Sequence, residues 1–166
     1  MIFDVLGGNR KIEYIYIMDK IHKPKKVFRQ GPISPQFVAD SIAKHQSKVN
    51  IGAHAIFLGQ IRADEKEEGF VTGIEYSAYE EMAEQAFHAI REDAFSKFDL
   101  TCMHIYHSLG LVPTGEISLF VFVSSAHRRA AFEASEYIVD EIKTKVPIFG
   151  KELVGPAGEY VWKENK

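Results

Sequence analysis

The hydrophobic period changes repeatedly along the chain, and this alternation constrains the fold more than any other feature. Apolar residues recur at helical spacing from Glu80 to Phe98 and from about His127 to Lys145, and Pro147 ends the second helix. Two apolar strands, Leu100 to Leu109 and Glu116 to Ser125, separate these helices. The pattern predicts a mixed sheet covered by helices, in an α+β or α/β arrangement.

The pattern continues toward the N-terminus. Ser34 is followed by Pro35, which predicts a helix start because serine caps a helix and proline suits its first turn. Gly52 to Gly59 is a predicted buried strand, Asp64 to Gly69 a charged loop, and Thr72 to Tyr79 a half-buried strand. The predicted order is therefore helix, strand, strand, helix, strand, strand, helix. A strand-like aromatic tail runs to Trp162.

The length of 166 residues favours one main domain. We expect residues 1–50 to be an N-terminal extension with the first helix, and residues 51–166 to be the main domain. Residues 34–50 are expected to pack with the main domain as one compact unit. Within the extension, Lys11 to Met18 is a candidate strand, and Lys20 to Lys26 is a basic connector.

Composition excludes several classes of protein. Apolar residues make up 46% of the chain, which is enough for a sizeable core, and a net charge of −3 gives no basic field for nucleic acid. The single cysteine, Cys102, permits no intrachain disulfide, and its apolar surroundings predict a buried structural thiol. With no apolar run of about 20 residues and no signal peptide pattern, we expect a cytoplasmic protein without membrane contact.

Basic residues stand at three element ends. Arg62 follows a predicted buried strand, where it either grips an anion or simply starts a polar loop. His127 and Arg128 open a helix, whose N-terminus favours anions, although plain surface charge is the alternative. Lys143 and Lys145 close the same helix, where lysine also complements the helix dipole without any function.

The spacing of His104 and His107 places them on opposite faces of a strand, so that they cannot share a metal. The sequence has no zinc-type spacing of cysteine and histidine, and we expect neither a metal nor a cofactor. Arg128 and Lys143 are 15 residues apart, or about 22 Å along one helix. Either the helix ends form two sites, or a two-fold dimer joins Arg128 of one chain to Lys143 of the other, which we prefer.

Four segments in one order resemble motifs of the molybdopterin synthase large-subunit (MoaE-like) family. They are Gly52-Ala-His-Ala-Ile-Phe-Leu-Gly59 with Gln-Ile-Arg62, Ile74-Glu-Tyr-Ser-Ala-Tyr-Glu-Glu-Met-Ala83, Ser125-Ala-His-Arg128, and Ile142-Lys-Thr-Lys-Val-Pro-Ile-Phe-Gly-Lys-Glu152. The resemblance covers about residues 51–152. It implies an α+β fold of the α/β hammerhead type, with a small additional antiparallel part.

The resemblance also implies a sulfurtransferase of molybdenum cofactor biosynthesis. Such an enzyme transfers sulfur from a thiocarboxylated Gly-Gly terminus of a ubiquitin-like small subunit to cyclic pyranopterin monophosphate, forming the molybdopterin dithiolene. The implied assembly is a heterotetramer built around a homodimer of large subunits. Matched position by position, Lys143 is the expected catalytic residue. The expected substrate-binding residues are Arg62, His127, Arg128, Lys151 and Glu152.

The chain departs from the family pattern at Phe149-Gly150, where the family has Trp-Lys. We expect Lys151 to supply the second pocket ammonium from the next position. The departure also supports an alternative function, a dimeric scaffold that binds the small subunit without turnover. A generic phosphate-ligand enzyme is a third hypothesis.

Overall fold

The computed structural model describes residues 26–155 and 159–162 of the chain. Within this part there are three helices and eight strands. In chain order they are β1 Phe28–Gln30, α1 Pro35–Ala43, β2 Ala53–Gln60, β3 Glu65–Lys66, β4 Gly69–Ala78, α2 Glu80–Lys97, β5 Cys102–Pro113, β6 Ile117–Ser125, α3 Arg128–Lys145, β7 Ile148–Val154 and β8 Glu159–Trp162.

The sheet has the order β2-β6-β5-β4-β7-β8, with β3 paired to β4 and β1 paired to β5. The β1–β5 pair is parallel, whereas the other described pairs are antiparallel. The sheet is therefore mixed, and the predicted α+β class is confirmed.

Strand β5 joins two parts of the sheet. Residues from Cys102 to His107 pair with β6, whereas residues from Gly110 to Pro113 pair with β4. Gly110 has φ +75°, a left-handed conformation that glycine adopts without strain. The change of partner coincides with this interruption of the extended backbone. It separates the β2-β6-β5 part from the smaller antiparallel β4-β7-β8 part.

The helices cover both faces of the β2-β6-β5 part. Alternate residues of β5 and β6, including Met103 and Val121, pack against α2 and α3 in the largest apolar cluster. Their neighbours Phe120 and Phe122 point to the other face and contact α1. The result is three layers, with the sheet between one short helix and two long ones.

Local sequence explains the helix boundaries. The Ser34 hydroxyl accepts a hydrogen bond from the backbone N–H of Phe37 at 3.2 Å, and Pro35 occupies the first turn of α1. All three predicted helices are confirmed to within two residues. No helix in the described ranges is long and apolar enough to cross a membrane.

Strand predictions were less complete. The predicted charged loop from Asp64 to Gly69 contains β3, which forms a hairpin with β4, and that part of the prediction was wrong. Strand β1 and the start of β7 were missed, because pairing of β1 with β5 and of β7 with β4 connects residues far apart in sequence. The predicted strand at Lys11 to Met18 lies outside the described residues.

Truncating the core beneath α3 should destabilise the protein strongly. Ile138 is fully buried in the largest apolar cluster, so Ile138→Ala is expected to lower the free energy of unfolding by about 2–5 kcal/mol. Chemical denaturation followed by far-ultraviolet circular dichroism measures the change. Val49→Ala is the control, since Val49 is 95% exposed and its loss should change stability by less than about 0.5 kcal/mol. Equal effects of both variants would contradict this account of the core.

Candidate active site

An open groove of about 870 Å³ lies where the two parts of the sheet meet. Its walls come from the end of β2, from β6, β4, β7 and β8, and from the last turn of α3. Among its lining residues are Arg62, Lys143 and Glu152, three of the side chains that the sequence nominated. These residues come from segments 90 positions apart, and the sheet topology brings them to one cavity.

Lys143 lies on the exposed side of the last turn of α3, before Pro147 ends the helix. It makes no hydrogen bond or ion pair with another residue in the described part of the chain. Lys145, in the same turn, pairs instead with Glu141. The two lysines therefore differ: Lys145 is held by its own helix, whereas the ammonium of Lys143 is available to a ligand in the groove.

Arg62 stands two residues after the end of β2 and keeps 81% of its side chain exposed. Its guanidinium donates a hydrogen bond of 2.9 Å to the carboxylate of Asp64. An exposed ion pair of this kind contributes little stability, so the guanidinium can exchange its partner at small cost. A planar guanidinium at the groove edge suits a phosphate or a carboxylate.

Glu152 is buried, although it carries a carboxylate, and Lys66 from the β3–β4 hairpin lies 2.8 Å from its Oε2 atom. Both residues line the groove. Lys66 was not nominated from the sequence. Its position follows from the hairpin, in which β3 pairs with β4 while β4 pairs with β7, so that Lys66 is brought near Glu152.

Tyr76 and His107 also line the groove, and both were missed by the sequence analysis. Their rings contact edge to face, with centroids 5.0 Å apart. Burial raises the pKa of Tyr76; a hydrogen bond with Ser118 lowers it less, and the nearby Glu152 carboxylate raises it further. Tyr76 therefore keeps its proton at neutral pH and can donate it in a hydrogen bond.

The ring of His107 has a defined tautomer. Its Nδ1 atom lies 2.8 Å from the carbonyl oxygen of Ser108, and a carbonyl only accepts, so Nδ1 carries the proton and donates it. Since the residue is buried and its ring is fixed in this way, His107 presents a constant surface to the groove.

Lys151 is not among the residues that line the groove, whereas its neighbour Glu152 is. Neighbouring residues of a strand point to opposite faces, and on β7 the groove side belongs to Ile148, Gly150 and Glu152. The ammonium of Lys151 instead lies 4.7 Å from the centroid of the Trp162 ring. Gly150, where the family has lysine, pairs with Tyr76 in the groove wall.

His127 and Arg128 are also outside the groove. Both are exposed at the N-terminal end of α3, with His127 at the N-cap position. The helix is continuous for 18 residues, or about 27 Å, and Lys143 stands at its other end. The structure thus bears out the helix-length argument: one chain cannot bring Arg128 and Lys143 to the same small anion.

Loss of the Lys66 ammonium should destabilise the protein through Glu152. Lys66→Ala leaves a buried carboxylate without its cation, and we expect about 1–3 kcal/mol less stability in urea denaturation at neutral pH. The double variant Lys66→Ala/Glu152→Gln should regain most of this loss, because it removes the unpaired charge. Additive losses in the double variant would show that the ion pair is not the cause.

The chain is similar in sequence to known proteins. The family model described as MoaE protein matches residues 29–145, well over half of the chain. A molybdopterin synthase catalytic subunit from Homo sapiens is 41% identical over 115 residues, which are 69% of this chain and 60% of that protein. One from Pyrococcus abyssi is 41% identical over 119 residues, 72% of this chain and 78% of that protein.

Among solved structures, molybdopterin synthase from Staphylococcus aureus superposes with a TM-score of 0.70 at 28% identity, covering 83% of this chain and 96% of that one. The chain spans less than two thirds of the length of the human protein and of several other eukaryotic relatives. The family match runs from β1 to the end of α3 and includes all three helices and the strands β2 to β6. On these grounds the chain belongs to the MoaE protein family.

Proposed function

We propose that this protein is the catalytic subunit of a molybdopterin synthase. It would transfer sulfur from a thiocarboxylated small subunit to cyclic pyranopterin monophosphate, forming the dithiolene of molybdopterin. The observation that carries the proposal is the groove itself, which gathers Lys143, Arg62 and Lys66 around a buried Glu152 in a chain of the MoaE family. Three cations against two carboxylates suit an anionic substrate.

Lys143 is the proposed catalytic residue. Its ammonium has no partner in the described structure and stands at the groove wall, where it can hold the thiocarboxylate and donate a proton as sulfur bonds to the substrate carbon. Its amine form can also attack the carbonyl carbon of the thiocarboxylate: the C–N bond forms, the C–S bond breaks, hydrosulfide leaves for the substrate, and water then hydrolyses the amide to release the small subunit as a carboxylate. Both roles need the same placement, beside the bound tail and the pterin.

Arg62 is the proposed phosphate ligand, and Lys66 is the proposed second groove cation in place of Lys151. Tyr76 adds a neutral hydrogen-bond donor, because burial keeps it protonated. Glu152 orients Lys66 through their ion pair. The family has a lysine on β7 where this chain has Gly150. In the proposed arrangement Lys66 supplies the corresponding ammonium from the β3–β4 hairpin.

The proposed protein partner is a small ubiquitin-like subunit whose Gly-Gly tail enters the groove. The cavity is open, and Gly150 leaves its part of the wall without a side chain. Val161 and Trp162, both exposed apolar residues, add a surface at the mouth that suits docking of a protein. The cytoplasmic location expected from the sequence stays a prediction.

His127 and Arg128 enter the proposal through a second copy of the chain. A two-fold dimer exchanges equivalent surfaces, so the start of α3 in one chain can lie beside the groove of its partner. Three adjacent basic residues at a helix N-terminus, of which only Arg129 is ion-paired in the described structure, suit this role. The complete site would then need both large subunits of a heterotetramer.

Turnover by purified components tests the function. The full chain is mixed with a thiocarboxylated small subunit and cyclic pyranopterin monophosphate, and the dithiolene product is measured by mass spectrometry after derivatisation. Product is expected only with the thiocarboxylate, and none with a small subunit that ends in an ordinary carboxylate. Absence of product from a pair that co-elutes in gel filtration would remove the enzymatic function.

A non-catalytic scaffold is the alternative, and Gly150 is the observation that favours it. If the missing lysine at that position cannot be replaced, the chain would bind the small subunit without transferring sulfur. The same assay separates the two functions, since a scaffold forms the complex and yields no product. Gly150→Lys would then be expected to create activity, whereas in an active enzyme it should change the rate little.

A further inference from the structure

A cluster of metal-ligating side chains lies on the sheet face opposite the long helices, away from the groove. Cys102 and His104 are two residues apart on β5 and therefore point to the same face. His45 comes from the turn that follows α1, which covers this face. Cys102 and His45 are buried, and His104 is half-buried.

The three ligand atoms form a compact triangle. His45 Nε2 lies 3.2 Å from Cys102 Sγ, His104 Nε2 lies 3.0 Å from the same sulfur, and the two nitrogens are 3.0 Å apart. Around a tetrahedral zinc ion, bond lengths of about 2.0–2.3 Å separate neighbouring ligand atoms by about 3.3–3.6 Å. The triangle therefore needs to expand by only a few tenths of an ångström to hold such an ion.

The orientation of His45 is also that of a metal ligand. Its Nδ1 atom lies 2.7 Å from the carbonyl oxygen of Ser41, which only accepts, so Nδ1–H donates to it. In the neutral ring, Nε2 then carries a lone pair directed at Cys102 and His104. Histidines that bind metals commonly donate their other N–H to a backbone carbonyl in this way, which fixes both tautomer and ring orientation.

The surroundings hold the cluster in place. The His45 ring packs edge to face on Phe122, with centroids 4.8 Å apart, and the His104 ring stacks on the same phenylalanine at 6.2 Å. Lys48 Nζ lies 3.6 Å from Cys102 Sγ and donates a hydrogen bond to it. Two rings and a thiol are thus pre-positioned before any ion arrives.

We propose that His45, Cys102 and His104 bind a zinc-like divalent transition metal, with water in the fourth tetrahedral position. One thiolate and two imidazoles form a ligand set that suits zinc and disfavours magnesium or calcium, which prefer oxygen. The proposal does not depend on the sulfur-transfer function, because none of these residues lines the groove.

The site would attach α1 to the sheet. Helix α1 has nine residues and none of them is fully buried, so it depends on tertiary contacts for its stability. His45 follows its C-terminal end, whereas Cys102 and His104 belong to the central strand β5. A metal bound to all three would link the helix to the sheet and contribute its binding energy to folding.

The sequence analysis expected no metal, because it considered His104 with His107 and sought short zinc spacings. That pair does lie on opposite faces, since His107 lines the groove while His104 faces α1. The residues that share a face are instead Cys102 and His104. The third ligand, His45, lies 57 residues before Cys102 in the chain.

Cobalt(II) titration of the full chain tests the site directly. After treatment with chelator and under reducing conditions, the protein should bind one equivalent of cobalt and develop a near-ultraviolet thiolate-to-cobalt charge-transfer band. Zinc should then displace cobalt and abolish the band. Zinc should also raise the melting temperature of the wild-type chain. A wild-type protein without the charge-transfer band would overturn the proposal without recourse to any variant.

Variants assign the ligands. Cys102→Ser should lose the band, and His45→Gln and His104→Ala should each bind zinc about 100-fold more weakly in calorimetric titration. His88→Ala is the matched control, since His88 belongs to α2 and is not one of the three clustered ligands, and it should bind zinc like the wild type. Equal weakening by His88→Ala, or unchanged binding by His45→Gln with an unchanged circular dichroism spectrum, would overturn the assignment.

Discussion

Lys143→Ala should lower the rate of sulfur transfer by about 10²–10⁴-fold, the range expected when a proton-transferring group is removed. Lys143 lines the groove and has no partner among the described residues, so no other interaction depends on it. Its exposure on the last turn of α3 means that the variant should fold and assemble normally. Single-turnover dithiolene formation measures the rate, with saturating small subunit so that chemistry rather than binding is observed.

Lys145→Ala is the matched control for this experiment. Lys145 occupies the same helix turn and carries the same charge, but its ammonium pairs with Glu141 instead of facing the groove. The rate should change by less than a factor of about two, because an exposed pair within one helix contributes little. If both lysine variants lose activity equally, the loss comes from the lower positive charge of this helix end and not from a catalytic role of Lys143. Full activity of Lys143→Ala would remove Lys143 from the mechanism.

Mixing two inactive variants should restore activity if the site is shared between chains. Lys143→Ala and Arg128→Ala homodimers each lack one component at both sites. After random exchange, half of the dimers contain one chain of each kind, and one of their two sites is whole. The mixture should therefore reach about a quarter of wild-type activity. The distance of about 22 Å along α3 between these positions is what makes the sharing necessary.

Subunit exchange must be verified independently, for example by native mass spectrometry of isotope-labelled chains. Mixing of Lys143→Ala with Arg62→Ala is the control. Both residues line the groove of the same chain, so exchange of chains cannot produce a groove that has both. In a mixed dimer, one groove lacks Lys143 and the other lacks Arg62, so no activity should return. Confirmed exchange without recovery in the Arg128 mixture would exclude the shared site.

Local patterns predicted the local structure of this chain. The helical spacing of apolar residues from Ala131 to Ile142 placed α3 within one residue of its observed start, because amphipathic period and helix ends depend on neighbours in sequence. The predicted length of this helix also showed, from the sequence alone, that Arg128 and Lys143 of one chain lie too far apart to contact the same small anion. The opposite orientation of Lys151 and Glu152 also follows from strand alternation, but it was missed because the segment was interpreted as a tail rather than as β7.

Long-range pairing decided the rest. The groove exists because β5 changes partner at Gly110, and Lys66 reaches Glu152 because β3, β4 and β7 are adjacent in the sheet. A local sequence pattern does not predict these strand pairings, because each one joins residues that are distant in sequence. The His45, Cys102 and His104 cluster depends on both local sequence and tertiary packing. The spacing of Cys102 and His104 places them on one face of β5, whereas only the packing of α1 on the sheet brings His45 to them. The sequence by itself thus determined the three helices, the strands β2, β4, β5 and β6 and the family resemblance, and the tertiary structure decided which side chains meet.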